Sequence, residues 1–85
     1  MSIFAVQRNV AGAEVADLGA VIAAVRAVAI AMTASDQPVT VLHSIYVAAD
    51  RTCVSVIEAD DAATVIEALR RAGSRSARVL PAIAL

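Results

Sequence analysis

Eighty-five residues with a formal net charge of −1 and a pI near 5.6 present no global field that would draw the chain to nucleic acid or to an anionic membrane. The single Cys excludes an internal disulfide framework and any CxxC metal or redox motif. The length allows one domain, residues 1–85, and 60% of it is hydrophobic, with 21 Ala and 13 Val, well above the roughly 45–50% of an average chain.

A chain this short buries only ~60–65% of its unfolded surface. The apolar excess is in small side chains, so the reading is apolar surface buried between subunits. All seven basic residues are Arg. The opening segment MSIFAVQR has no basic region followed by an apolar run, so no secretory leader is expected and the location predicted is cytoplasmic.

In chain order, Ile3, Ala5 and Gln7 alternate with Phe4, Val6 and Arg8, a short strand ending at Asn9 before the Ala11-Gly12 break. From Glu14 the apolar positions Val15, Leu18, Ile22, Val25, Ala29 and Met32 trace one helical face, with Glu14 and Asp17 in the first turn where the dipole favours acids. Val21, Val28 and Ile30 lie off that stripe, and Ile30 is expected to meet another subunit or the loop around Gln37. The apolar run from Leu18 to Met32, interrupted by Arg26, falls short of the ~18–20 residues of a membrane span.

Ser35-Asp36-Gln37-Pro38 is a turn, because Pro38 cannot continue a helix and biases Gln37 to extended geometry. Val39 to Ala48 is β-branched and alternating, Ala49-Asp50-Arg51 is a tight connection, and Thr52 to Ala59 is the next strand, the two pairing as a hairpin. Asp60 or Asp61 caps a second helix with Val65, Ile66, Leu69 and Ala72 on its buried face, and Gly73 stops it. Arg78 to Leu85 is a fourth strand that Pro81, lacking an N–H, assigns to a sheet edge.

The resulting order, β-α-β-β-α-β, is the ferredoxin-like α+β pattern: a four-stranded antiparallel sheet with both helices on one face. The second strand reads as apolar on both sides, with Val39, Val41, Ile45 and Val47 on one and Leu42 and Tyr46 on the other. Two apolar faces need two covers, and the helices supply one. A homodimer through the open sheet face, as in a dimeric α/β barrel, or a larger assembly, is the natural second cover.

His43, Tyr46 and Cys53 are each the only residue of their type and lie close together. If Val47 faces Cys53, His43 points to the same side but lies ~13 Å away at ~3.3 Å per residue. Ligand atoms of one metal must come within ~2.0–2.3 Å of it. A loop one residue shorter or longer sets the two donors on opposite faces, so no register pairs them. Tyr46 lies opposite His43 by parity and reads as a core or interface ring, and Cys53 as a small buried hydrophobe.

His43 with Glu58 is different. If Val47 pairs with Thr52, then Val41 faces Glu58, Val56 faces His43, and the two polar side chains become diagonal neighbours ~7–8 Å apart at Cα. Such a pair on an apolar face needs a hydrogen bond or a ligand. Two donors from each of two subunits complete a four-donor metal site. Arg70, Arg71, Arg75 and Arg78 cluster after the second helix, either as a solvated surface or as an anion contact. No Ser/His/Asp or Cys/His arrangement for nucleophilic catalysis is visible.

The segments VTVLHSIYVAADRTCVSVIEADDAATV and RRAGSRSARV, with the opening FAVQRNVAGAE, resemble the DUF4242 family of small bacterial proteins of ferredoxin-like fold across nearly the whole chain. The shared markers are HS followed by an aromatic residue and Val, EAD after the third strand, and Arg-Val after the second helix. The resemblance implies a dimer packed through its sheets, and a relative from the actinobacteria is described as nickel-binding. Many relatives carry a His in the second helix, where VIEALRRAG has none.

The reading is therefore a non-enzymatic homodimeric binding protein, with nickel or another divalent transition metal on His43 and Glu58. Its alternatives are a cofactor-free dimeric α/β-barrel enzyme acting on a small apolar molecule, with His43 as its base near neutral pH, or a ligand-free assembly subunit.

Overall fold

A computed structural model describes residues 1–74 and 77–85. Strand β1 (Ser2–Asn9) leads through a 3₁₀ turn (Gly12–Glu14) into helix α1 (Val15–Ala34). Strands β2 (Val39–Val47) and β3 (Thr52–Ala59) follow, joined by a second 3₁₀ turn (Ala48–Asp50). Helix α2 (Ala62–Arg71) and strand β4 (Arg78–Ala82) complete the β-α-β-β-α-β order. The sheet runs β2-β3-β1-β4, antiparallel throughout, so the consecutive β2-β3 hairpin lies beside β1 and the edges are β2 and β4. This is the ferredoxin-like arrangement expected, with Pro81 in an edge strand.

Local chemistry explains the boundaries. Asp61 accepts hydrogen bonds from the Thr64 backbone N–H at 2.8 Å and hydroxyl at 2.7 Å, fastening the first turn of α2. The Thr64 hydroxyl first and its N–H second hold the Asp61 carboxyl below its ordinary value. Gly73, at φ 74°, adopts the left-handed turn that ends α2, while Ser74 N–H donates back to Leu69 O. Arg51 takes the left-handed conformation at φ 49° to close the hairpin, and its carbonyl accepts from Val10 N–H.

The core lies between one sheet face and the helices. Phe4 and Val6 of β1, Val39 and Val41 of β2, and Ile57 and Ala59 of β3 meet Val25, Ala29 and Met32 of α1 and Val65, Ala68 and Leu69 of α2. The anticipated stripe on α1 is buried only in its second half: Val25, Ala29 and Met32 are sealed, Leu18 and Ile22 are half-buried, and Val15 is exposed. Ile30 is 73% exposed, so the loop around Gln37 does not cover it.

Four expectations are corrected. The strand β2 is bulged. Val47 does pair with Thr52 and His43 with Val56, but beyond Leu42 the register slips, so that Val41 meets Ile57 and Thr40 meets Glu58. An extra residue reverses the alternation of everything beyond it. Val39 and Val41 thus share the helix side with Ser44 and Tyr46, while Ile45 and Val47 lie on the open side with His43. The strand is apolar on both faces because it changes face midway.

The fourth strand stops at Ala82, opposite Ile3. Almost nothing of β1 remains beyond that point to pair with, and Ile83 and Leu85 are exposed. Helix α1 is longer than the apolar run inside it, since Val15–Asp17 and Thr33–Ala34 extend it at both ends. By length and composition it is long enough to cross a membrane, with a mean hydropathy of 2.0; in this fold it packs on the sheet through Val25, Ala29 and Met32. Ile66, assigned to the buried face of α2, is exposed, and Ala68 takes the buried position.

Candidate functional site

The face turned away from the helices is built from alternate residues of all four strands. Ile3, Ala5 and Gln7 of β1 stand opposite Glu58, Val56 and Val54 of β3, and opposite Ala82, Leu80 and Arg78 of β4. On the other flank Val56, Val54 and Thr52 meet His43, Ile45 and Val47. The centre is aliphatic and the polar groups stand toward the margins. Ile45 is 59% exposed, and Leu42 and Val47 are exposed as well.

His43 and Glu58 share this face. His43 is directly opposite Val56, and Glu58 lies two residues further along β3, between Ile3 and Thr40. The expected sharing of a face therefore holds, while the neighbour of Glu58 on β2 is Thr40 and not Val41. His43 is exposed and Glu58 half-buried. Among the described residues the two form no ion pair, the salt bridges being those of Glu67 with Arg70 and Arg71. No group of three or more His, Cys, Asp or Glu side chains gathers among the described residues. Two donors per chain leave the remaining positions of a divalent ion to water or to a second molecule.

Cys53 and Tyr46 are brought together, directly opposite each other on the helix-facing side. That places both away from His43. Cys53 is buried, and beside it the Ser44 and Ser55 hydroxyls share a hydrogen bond at 2.9 Å, satisfying Ser55 in the interior. This trio of rare side chains is thus divided between the two faces.

Two members of the arginine cluster are committed to a carboxylate. Arg70 donates to both Glu67 oxygens at 2.8 Å, and Arg71 donates through Nε at 2.6 Å. The Arg70 hydrogen bonds first, then that of Arg71, pull the Glu67 carboxyl down to about 2. Arg78 is exposed on the strand opposite Gln7, and Arg75 lies outside the described residues.

No family model, curated protein or solved structure matches the chain at a significant level.

Proposed function

We propose that the chain is a non-catalytic binding protein that works as a homodimer, two protomers packing open sheet face against open sheet face. His43 and Glu58 of each protomer then hold a divalent transition metal, nickel being the ion that the resemblance to the DUF4242 family suggests. The observation that carries the reading is the aliphatic centre of that face, from Ala5 through Val56 and Val54 to an Ile45 that is 59% exposed. A contiguous patch of this kind costs free energy in water and favours a partner.

A second copy is the partner that best fits, because a two-fold axis lying in the plane between the two faces brings aliphatic centre against aliphatic centre and polar margin against polar margin. The edges favour the face over edge-to-edge pairing. On β2, the Thr33 hydroxyl accepts from Val39 N–H at 3.1 Å and donates to Val39 O at 3.0 Å, and Arg26 donates to Val41 O at 2.8 Å. On β4, Pro81 has no N–H to offer. Both edges are thereby blunted against strand addition.

The test of the metal is titration calorimetry with nickel and with zinc on protein purified without a polyhistidine tag. His43→Ala and Glu58→Ala are each expected to abolish binding, because each removes one of the two donors that a protomer supplies, while leaving sedimentation unchanged. Absence of binding by the parent protein, or parent-like affinity in both variants, removes the metal from the proposal and leaves the dimer standing.

A further inference from the structure

Among the described residues, the strands set two charged side chains on the open face, Glu58 and Arg78, toward opposite corners of it. Glu58 lies on the β2 side at one end of the strands, opposite Thr40 and two residues beyond Val56, which faces His43. Arg78 lies on the β4 edge toward the other end, opposite Gln7. Arg78 is exposed and Glu58 half-buried, and neither is ion-paired among the described residues. Between these corners an aliphatic band crosses the face obliquely, from Ile45 of β2 through Val54, Val56 and Ala5 to Leu80 and Ala82 of β4. The face is therefore an apolar diagonal with a cationic corner on one side and an anionic corner on the other.

A second copy can meet this face in few ways, because the two-fold axis lies between the two faces and passes near their centres. An axis parallel to the strands lays β4 over the partner's β2, and so Arg78 over the partner's Ile45. An axis straight across the strands lays Arg78 over the partner's Leu80. Both arrangements set a guanidinium on an aliphatic side chain and leave its charge unpaired. An axis along the aliphatic band exchanges the two corners. Band then meets band, and Arg78 of each protomer faces the partner's Glu58. An axis at right angles to the band sets like charge over like charge. Opposite charges facing across an interface select register and suppress the wrong arrangements. The favoured axis also crosses the strands of the two sheets steeply, closer to the orthogonal class of sheet packing than to the aligned one.

We propose that the two-fold axis of the homodimer runs along this aliphatic band, and that Arg78 of each protomer pairs with the partner's Glu58, twice per dimer. The inference rests on the face-to-face dimer proposed above and does not need the metal. His43 and Glu58 of one protomer stay apart from those of the other, so an ion they hold is held once per protomer. Charge pairs at a solvated margin contribute mainly specificity, while the apolar band contributes affinity. Removing Glu58 therefore leaves the dimer standing, and reversal of charge is the informative change.

The experiment is sedimentation over a dilution series of the parent, Arg78→Glu, Glu58→Arg and an equimolar mixture of the two variants. Native mass spectrometry identifies the species in the mixture. The parent is expected to be a dimer at micromolar concentration. Each variant alone sets like charge over like charge at both corners, and is expected to self-associate about tenfold more weakly or worse. In the mixture both corner contacts are again of opposite sign, so a heterodimer of parent-like affinity is expected. Glu58→Lys replaces Glu58→Arg if circular dichroism shows that the latter does not fold. A monomeric parent overturns the dimer itself, and this proposal with it. A dimeric parent whose variants associate as tightly as it does, or whose mixed variants stay as weak as each alone, keeps the dimer and overturns the axis.

Discussion

Glu67 is the residue whose ionisation the fold alters most visibly. Arg70 and Arg71 hold its carboxyl down at about 2, against an ordinary 4.5. A carboxyl depressed in the folded state contributes stability that is present above its unfolded value and lost as pH falls through the folded one. The contribution of this exposed cluster is therefore expected to be intact at neutral pH and to fade from about 4.5 toward about 2. Melting temperatures of the parent and Glu67→Gln, measured across that window, should differ at its upper end and converge at its lower end; a constant difference contradicts the assignment. Such pairs at i,i+3 and i,i+4 can be read from helix spacing alone. Arg8 could not be read so simply. Its parity with Phe4 and Val6 was the available signal, a charge on the inward side of a strand, but its Ser74 partner lies 66 residues away and only the fold brings them together.

Among the elements, those with strong local periodicity or punctuation were legible: β1, the two helices, the Gly73 stop and the order of all four strands. The bulge in β2 was not. VTVLHSIYV alternates plausibly in either register, and nothing in the strand itself announces an extra residue at Leu42. The slip is chosen by tertiary packing, which sets Val39 and Val41 under α1 while His43, Ile45 and Val47 remain on the other side. Half of the candidate site survives this: His43 and Glu58 keep a common face, with a different set of neighbours. In α1, apolar residues run all round the helix, so its sequence predicts more burial than one sheet provides. Gly19 sits in its exposed interior, and a Cβ built there meets nothing within 4 Å. Gly19→Ala should raise stability by about 0.8–1 kcal/mol through backbone entropy and helix propensity. Urea unfolding of the two proteins checks it, and a decrease would mean that this face of α1 is in contact with something else.

For the whole molecule, the governing asymmetry is that one sheet face has two helices and the other has none. A chain of 85 residues has little stability to spare, and leaving Ile45, Leu42 and Val47 in water forgoes burial worth ~1.5–3 kcal/mol for each large aliphatic side chain. The blunted edges at Thr33, Arg26 and Pro81 favour the face over the edges for the proposed association. Ile45→Glu places a charge at the centre of that face, opposite Val54, where face-to-face packing would have to bury it unpaired. Ile66→Glu is the matched control, since Ile66 is also exposed but sits on α2, across the sheet from the proposed interface. In sedimentation at micromolar concentration the parent and Ile66→Glu are expected to run as dimers and Ile45→Glu as a monomer. The melting temperature of Ile45→Glu should also fall with dilution more steeply than that of the control, because stability is linked to association. A parent that sediments as a stable folded monomer defeats the dimer, and an Ile45→Glu variant that keeps the parent's mass moves the interface off the open face.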